Sequence, residues 1–192
     1  KRRFKLGLNS LIGGGNPEEI LDGLYENRAN RTVNSVDFLK LLKLRYEVKL
    51  SEDKFQEAKE TLDLWLKHSE TTLGKKSLNY LLASIEKAHF LTRFTNEFST
   101  ADSLFETQIA ALGKLVLPSQ KQYIEALNKQ VNYYITLSEY QKANQLIDKN
   151  LAETEALFGK KHINYAIQIE KYVNLLMKKG DFKDVDAKVS QM

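Results

Sequence analysis

The chain has 192 residues, 42% of them hydrophobic, 28% charged and 10% aromatic, with nine glycines, two prolines and no cysteine. That length suits one domain or a short repeat array, and the apolar fraction excludes a disordered chain while the scarcity of proline favours helix. Without cysteine there can be no disulfides, thiolate zinc site or cysteine nucleophile, and a net charge of +4 is too small to argue alone for nucleic acid.

In chain order, Lys1-Arg2-Arg3 forms a basic arm with no apolar signal segment behind it and no initiating Met, the pattern of a fragment or processed form. Phe4 to Ile12 is compatible with a short helix. Gly13-Gly14-Gly15 lacks the Lys and Ser/Thr of a phosphate-binding loop, so it reads as a turn. Asn16-Pro17-Glu18-Glu19 is a helix start, with Asn as N-cap, Pro in the first turn and Glu three residues after the cap. Ile20, Leu21, Leu24 and Tyr25 supply its apolar face. Residues 1–32 therefore read as a degenerate leading helical unit.

From Val33 the sequence repeats. Phe55, Phe98, Tyr140 and Phe182 lead four similar tetrapeptides and are separated by 43, 42 and 42 residues. Phe38, Tyr80, Tyr123 and Tyr165 are separated by 42, 43 and 42, and Leu62, Phe105, Ile147 and Val189 by 43, 42 and 42. Three ladders with one period define the units 33–74, 75–117, 118–159 and a truncated 160–192. Each unit holds two helical patterns. In the third, Tyr123, Leu127, Val131, Tyr134 and Ile135 share one helical face, and Ala143, Ile147 and Leu151 share another after the polar break Leu137-Ser138-Glu139. The fourth copies this around the turn Lys179-Gly180-Asp181. The second unit carries its extra residue within Phe94 to Glu97. Gly74, Gly113 and Gly159 are expected to stop the second helices, and Gly113, about one turn early, predicts a shortened helix.

V-N-Y-Y-I-T-L-S-E-Y-Q-K-A (131–143) and V-N-L-L-M-K-K-G-D-F-K-D-V (173–185), with the linker L-F-G-K-K-H-I-N-Y-A (157–166), resemble the tetratricopeptide repeat (TPR) in its 42-residue form, found in kinesin light chains and many bacterial proteins. The resemblance runs from Val33 to the end. It implies an all-α fold, an α-solenoid of antiparallel helix pairs in a right-handed superhelix. The family's first-helix leucine is replaced by Arg45, Lys87, Gln130 and Tyr172, which implies looser or slightly rotated packing. Trp65, Phe105 and Leu151 are expected to fill the gaps between units, and small Ala58, Ala101 and Ala143 to let paired helices approach. Unit four presents Val185 and Val189 with no polar cap, so either a longer protein or self-association through that end is expected.

Chemistry is sparse. His68, His89 and His162 stand in different units with no metal-binding spacing, and the resemblance gives His162 a packing and capping role. No nucleophile elbow, kinase signature or dinucleotide fingerprint occurs. The carboxylates and the spread bases, Lys49 among them, read as solvated faces. No enzymatic activity, cofactor or metal is expected.

The resemblance implies that first helices line a concave groove. Residues just after the small site, Glu47, His89, Asn132 and Asn174, would face it, with Ser51, Arg93, Thr136 and Lys178 a turn beyond and Lys43, Ile85, Asn128 and Glu170 a turn before. Asn amides can donate to and accept from a peptide backbone, and Arg93 or Lys178 could pair with a carboxylate. The expected groove set is Asn128, Asn132, Asn174, Lys178, Arg93 and His89. The leading expectation is a soluble, non-enzymatic scaffold that binds a peptide segment or a partner domain, whether from another protein or from its own chain. The alternatives are a peptide-sensing regulatory domain and, last, a nucleic-acid binder.

Overall fold

The computed structural model describes residues 16–29, 36–115, 121–181 and 184–185. Among them the regular elements are all α-helices: α1 (Pro17–Ala29), α2 (Val36–Ser51), α3 (Phe55–Leu73), α4 (Leu78–Phe94), α5 (Phe98–Leu115), α6 (Lys121–Thr136), α7 (Tyr140–Phe158) and α8 (Ile163–Lys179). The expected amino-terminal arm, the glycine turn, Phe182 and Val189 lie outside the described residues. The chain divides into two compact units, Lys1–Asn96 and Glu97–Met192. Within each, successive helices pack on one another, because an amphipathic hairpin buries its second apolar edge only against a neighbour.

The leading helix starts as its sequence dictates. Asn16 accepts the backbone N–H of Glu18 at 3.2 Å, and its side-chain amide donates to Glu19 at 3.1 Å. The hairpins α2–α3 and α6–α7 turn through Asp53 and Ser138, both at positive φ (63° and 60°). α4 and α8 are 17 residues long, against 16 for α2 and α6, and the extra residue of the second unit falls in the turn after α4. The turn there begins instead with an extended Thr95 (φ −136°).

Between hairpins, Gly74 and Gly159 terminate α3 and α7 at φ +81° and +77°, a region that L side chains avoid. Ser77 then caps α4 by accepting the N–H of Tyr80 at 3.3 Å. His162 caps α8 through Nδ1, which accepts the N–H of Asn164 at 3.1 Å, while its ring stacks on Phe158 with centroids 4.5 Å apart.

Gly113 departs from expectation. It lies inside α5, which runs on to Leu115 and is 18 residues long against 19 for α3 and α7. A β-carbon at Gly113 would stand 3.0 Å from the ring of Tyr123, so this glycine admits an aromatic side chain instead of ending a helix.

In the first unit, Leu39, Leu42, Ala58, Leu62 and Trp65 are buried in one cluster with Tyr46 and Phe90. In the second, Ala101, Phe105, Val131, Ala143, Ile147, Ile169 and Leu175 are fully buried. The expected packing residue Leu151 is only half-buried, and its neighbour Asn150 takes the buried place. The buried face of α7, Ala143, Ile147, Asn150 and Thr154, keeps the spacing of Ala58, Leu62, Trp65 and Ser69 in α3, one residue off the expected Leu151. Tyr133 ties α6 to the start of α5 by donating its hydroxyl to the carbonyl of Phe98 at 3.0 Å.

Candidate interaction groove

In the second unit α6 and α8 pack on α7 and also touch each other. Core-facing residues set their orientation. Val131 and Tyr134 on α6, and Leu175 and Leu176 on α8, are buried, which turns Asn132, between the first pair, and Asn174, just before the second, outward as exposed side chains. Asn132, Ile135 and Thr136 from α6 meet Asn174, Met177 and Lys178 from α8 around an open hollow of about 520 Å³. Three of the six expected groove residues thus share one surface.

Thr136 donates its hydroxyl hydrogen to the carbonyl of Asn132 at 2.9 Å and is left as an acceptor. Met177, 55% exposed, adds an apolar wall. Two amides and one ammonium suit a peptide backbone and a carboxylate. The lining holds no carboxylate or imidazole to act as a general base.

The other expected residues lie elsewhere. Asn128, a turn before Asn132, is half-buried with its Oδ1 buried and without a hydrogen-bond partner among the described residues, and it does not line the hollow. His89 and Arg93 are carried by α4 of the first unit. His89 is half-buried with Nδ1 3.9 Å from the Glu86 carboxylate, and the exposed Arg93 holds its guanidinium 5.1 Å from the ring centre of Phe94. Ile85, expected to face the groove, is only 2% exposed and belongs to the core.

A second polar constellation was misread in the sequence. Lys49, grouped with the solvated bases, is 2% exposed. Its Nζ lies 2.5 Å from Glu18, 2.8 Å from Asp22 and 2.8 Å from Glu57. Arg45 donates to Asp22 at 2.7 Å and to Thr61 at 2.5 Å, and Lys54 also pairs with Glu18. Burial pulls the Lys49 ammonium down, but its bonds to Asp22, Glu18 and Glu57 outweigh this and hold it above its usual value. Hydrogen bonding with Glu52, then with Lys49 and Lys54, holds Glu18 down at about 2. The cluster joins α1 to α2 and α3. Arg45 replaces the expected leucine because it has acidic α1 to reach, and Lys87 likewise reaches Asp63 on α3 at 2.5 Å. The acidic first turn of α1 was the legible signal, but its partner lay 31 residues away in sequence.

Among the described residues, no group of His, Asp or Glu side chains is placed to hold a metal ion. Nor is any described helix long and apolar enough to cross a membrane.

Comparison with solved structures decides the architecture. The nearly identical TPR-like repeats of a candidate kinesin light chain from Podosopora anserina superpose with a TM-score of 0.74 at 15% identity, over 91% of this chain and 83% of that one. A point variant of the same repeats gives 0.76 at 15% identity, covering 91% and 82%. The fold is that of a TPR-like helical repeat. BtubC (BKLC) from P. vanneervenii is similar as well, with a TM-score of 0.73 at 14% identity, covering 91% of this chain and 70% of that one. No family model and no curated protein matches the sequence.

Proposed function

We propose that this TPR-like chain is a non-enzymatic scaffold, and that the hollow between α6 and α8 receives an extended peptide of a protein partner or of another domain of its own chain. The observation that carries this reading is the convergence of Asn132, Asn174, Thr136 and Lys178 on one open surface. Asn132 and Asn174 are 42 residues apart, one period, so two amides are offered in succession along the surface. They match the alternating donors and acceptors of an extended backbone, and Lys178 supplies a cation for a side-chain or terminal carboxylate. Asn128, His89 and Arg93, the other groove residues expected from the sequence, do not line this hollow. The reading takes 33–74, 75–117, 118–159 and 160–192 as the repeat units, with 1–32 as a leading segment.

The test is fluorescence-anisotropy titration of the chain against extended peptides in paired forms, with a free or amidated C-terminus and with acidic or neutral side chains. Preference for the carboxylate-bearing forms, lost in Lys178→Ala, is the expected result. Equal binding of all forms would remove the hollow as the site.

A further inference from the structure

The register that relates the repeats exposes an exchange in the core. Trp65 and Ala83 share the first unit's apolar cluster. The residues 85 positions on from each are Asn150 and Gln168. A large aromatic and a methyl group in that cluster thus correspond to two amides of middling size. Both are deeply buried, Asn150 at 2% and Gln168 at 1% exposure.

Three of their polar atoms find no partner among the described residues: Oδ1 and Nδ2 of Asn150 and Oε1 of Gln168 are buried there without a hydrogen bond. Buried amide groups in that condition are costly, each by more than a made hydrogen bond is worth. The two side chains line one small cavity together with Leu127 of α6 and Thr154 of α7, and its volume is about 10 Å³. That is on the order of what a single water needs. A direct Nδ2–H to Oε1 bond would leave Oδ1 of Asn150 stranded. One donor and two acceptors, in contrast, complement one water: it accepts from Nδ2 and donates its two hydrogens to the oxygens.

We infer that this cavity is a binding site for a single buried water, which bridges Asn150 of α7 to Gln168 of α8. The bridge holds α8 in register on α7, since sliding α8 by a turn would bury the same amides with nothing to bond. It sits on the helix that carries Asn174 and Lys178, yet it does not depend on what the hollow binds.

Two measurements on the whole chain test it. Oxygen-17 relaxation dispersion should show one fewer long-lived water in Asn150→Leu/Gln168→Leu, whose apolar side chains fill the cavity, than in the wild type. Independently, the wild-type Asn150 side-chain amide protons should show a nuclear Overhauser effect to a long-lived water, a measurement that stands even where the double variant does not fold. An equal count of long-lived waters in a folded double variant, or no such effect in the wild type, would overturn the inference.

Discussion

Gly113 and Gly23 are both helical, yet their missing β-carbons have opposite meanings. A methyl at Gly23 would meet nothing within 4 Å, while one at Gly113 would press on the Tyr123 ring at 3.0 Å. Gly23→Ala should therefore stabilise the chain by about 0.5–1 kcal/mol, the ordinary gain of alanine over glycine in a helix. At Gly113 the same gain opposes an overpacking cost of about 1–3 kcal/mol, so Gly113→Ala should be neutral to destabilising. Urea denaturation of the two variants checks the difference in sign; equal stabilisation would mean that Tyr123 moves aside freely. The amides of the hollow are residue-scale features too. Asn132→Ala with Asn174→Ala should weaken binding of a captured peptide by about 1–3 kcal/mol and leave the melting temperature nearly unchanged, because both side chains are exposed. Titration of wild type and variant beside a thermal melt separates binding from folding.

Elements are held in two ways here, by apolar ladders and by one ionic cluster. Leu62, Phe105 and Ile147 are fully buried, and each changed to Ala should cost about 2–5 kcal/mol. The exposed Lys59 and Gln145 on α3 and α7 should cost under ~0.5 kcal/mol; similar losses in both sets would mean a wrong helical register. The α1 contact behaves differently, because Lys49 bonds three carboxylates. Lys49→Met should lower stability by about 1.5–3 kcal/mol, as expected for hydrogen bonds to charged groups. Acid should loosen the same contact. Glu18 drops from its ordinary 4.5 to about 2 on folding, so its contribution is complete above pH 4.5 and fades as pH falls towards 2. Asp22, held below its usual value by Lys49 and Arg45 against the opposing effect of burial, acts in the same direction. Denaturation curves at pH 6, 4 and 2.5 should show this acid limb, and Glu18→Gln should flatten it.

For the molecule as a whole, the TPR-like fold predicts a far-UV circular dichroism spectrum dominated by helix, and substantial strand content would refute it. Its charge of +4 is modest, so binding to an acidic peptide should weaken only mildly with salt, through screening of Lys178 and its neighbours. A steep slope with random DNA would instead mark a nucleic-acid surface. Isothermal titration at two ionic strengths distinguishes these behaviours.

Period and local chemistry alone determined the helices, the hairpin turns and the cap at Asn16, because each depends on residues close in sequence or on a fixed repeat of 42 or 43, while the cap at His162 was implied by the family resemblance. Helical spacing likewise placed Trp65, Leu62, Phe105 and Ile147 inside. Gly113, Lys49 and the Asn150–Gln168 pair were decided by tertiary structure. A glycine in a helix looks like a stop until a tyrosine from the next helix is seen to fill the space of its β-carbon. A lysine on a helix looks solvated until acidic residues 31 and 27 positions earlier fold over it. Two amides in separate helices look like surface residues until packing closes apolar neighbours around them. Burial and pairing over long sequence separations follow from how helices pack, and no local pattern encodes them.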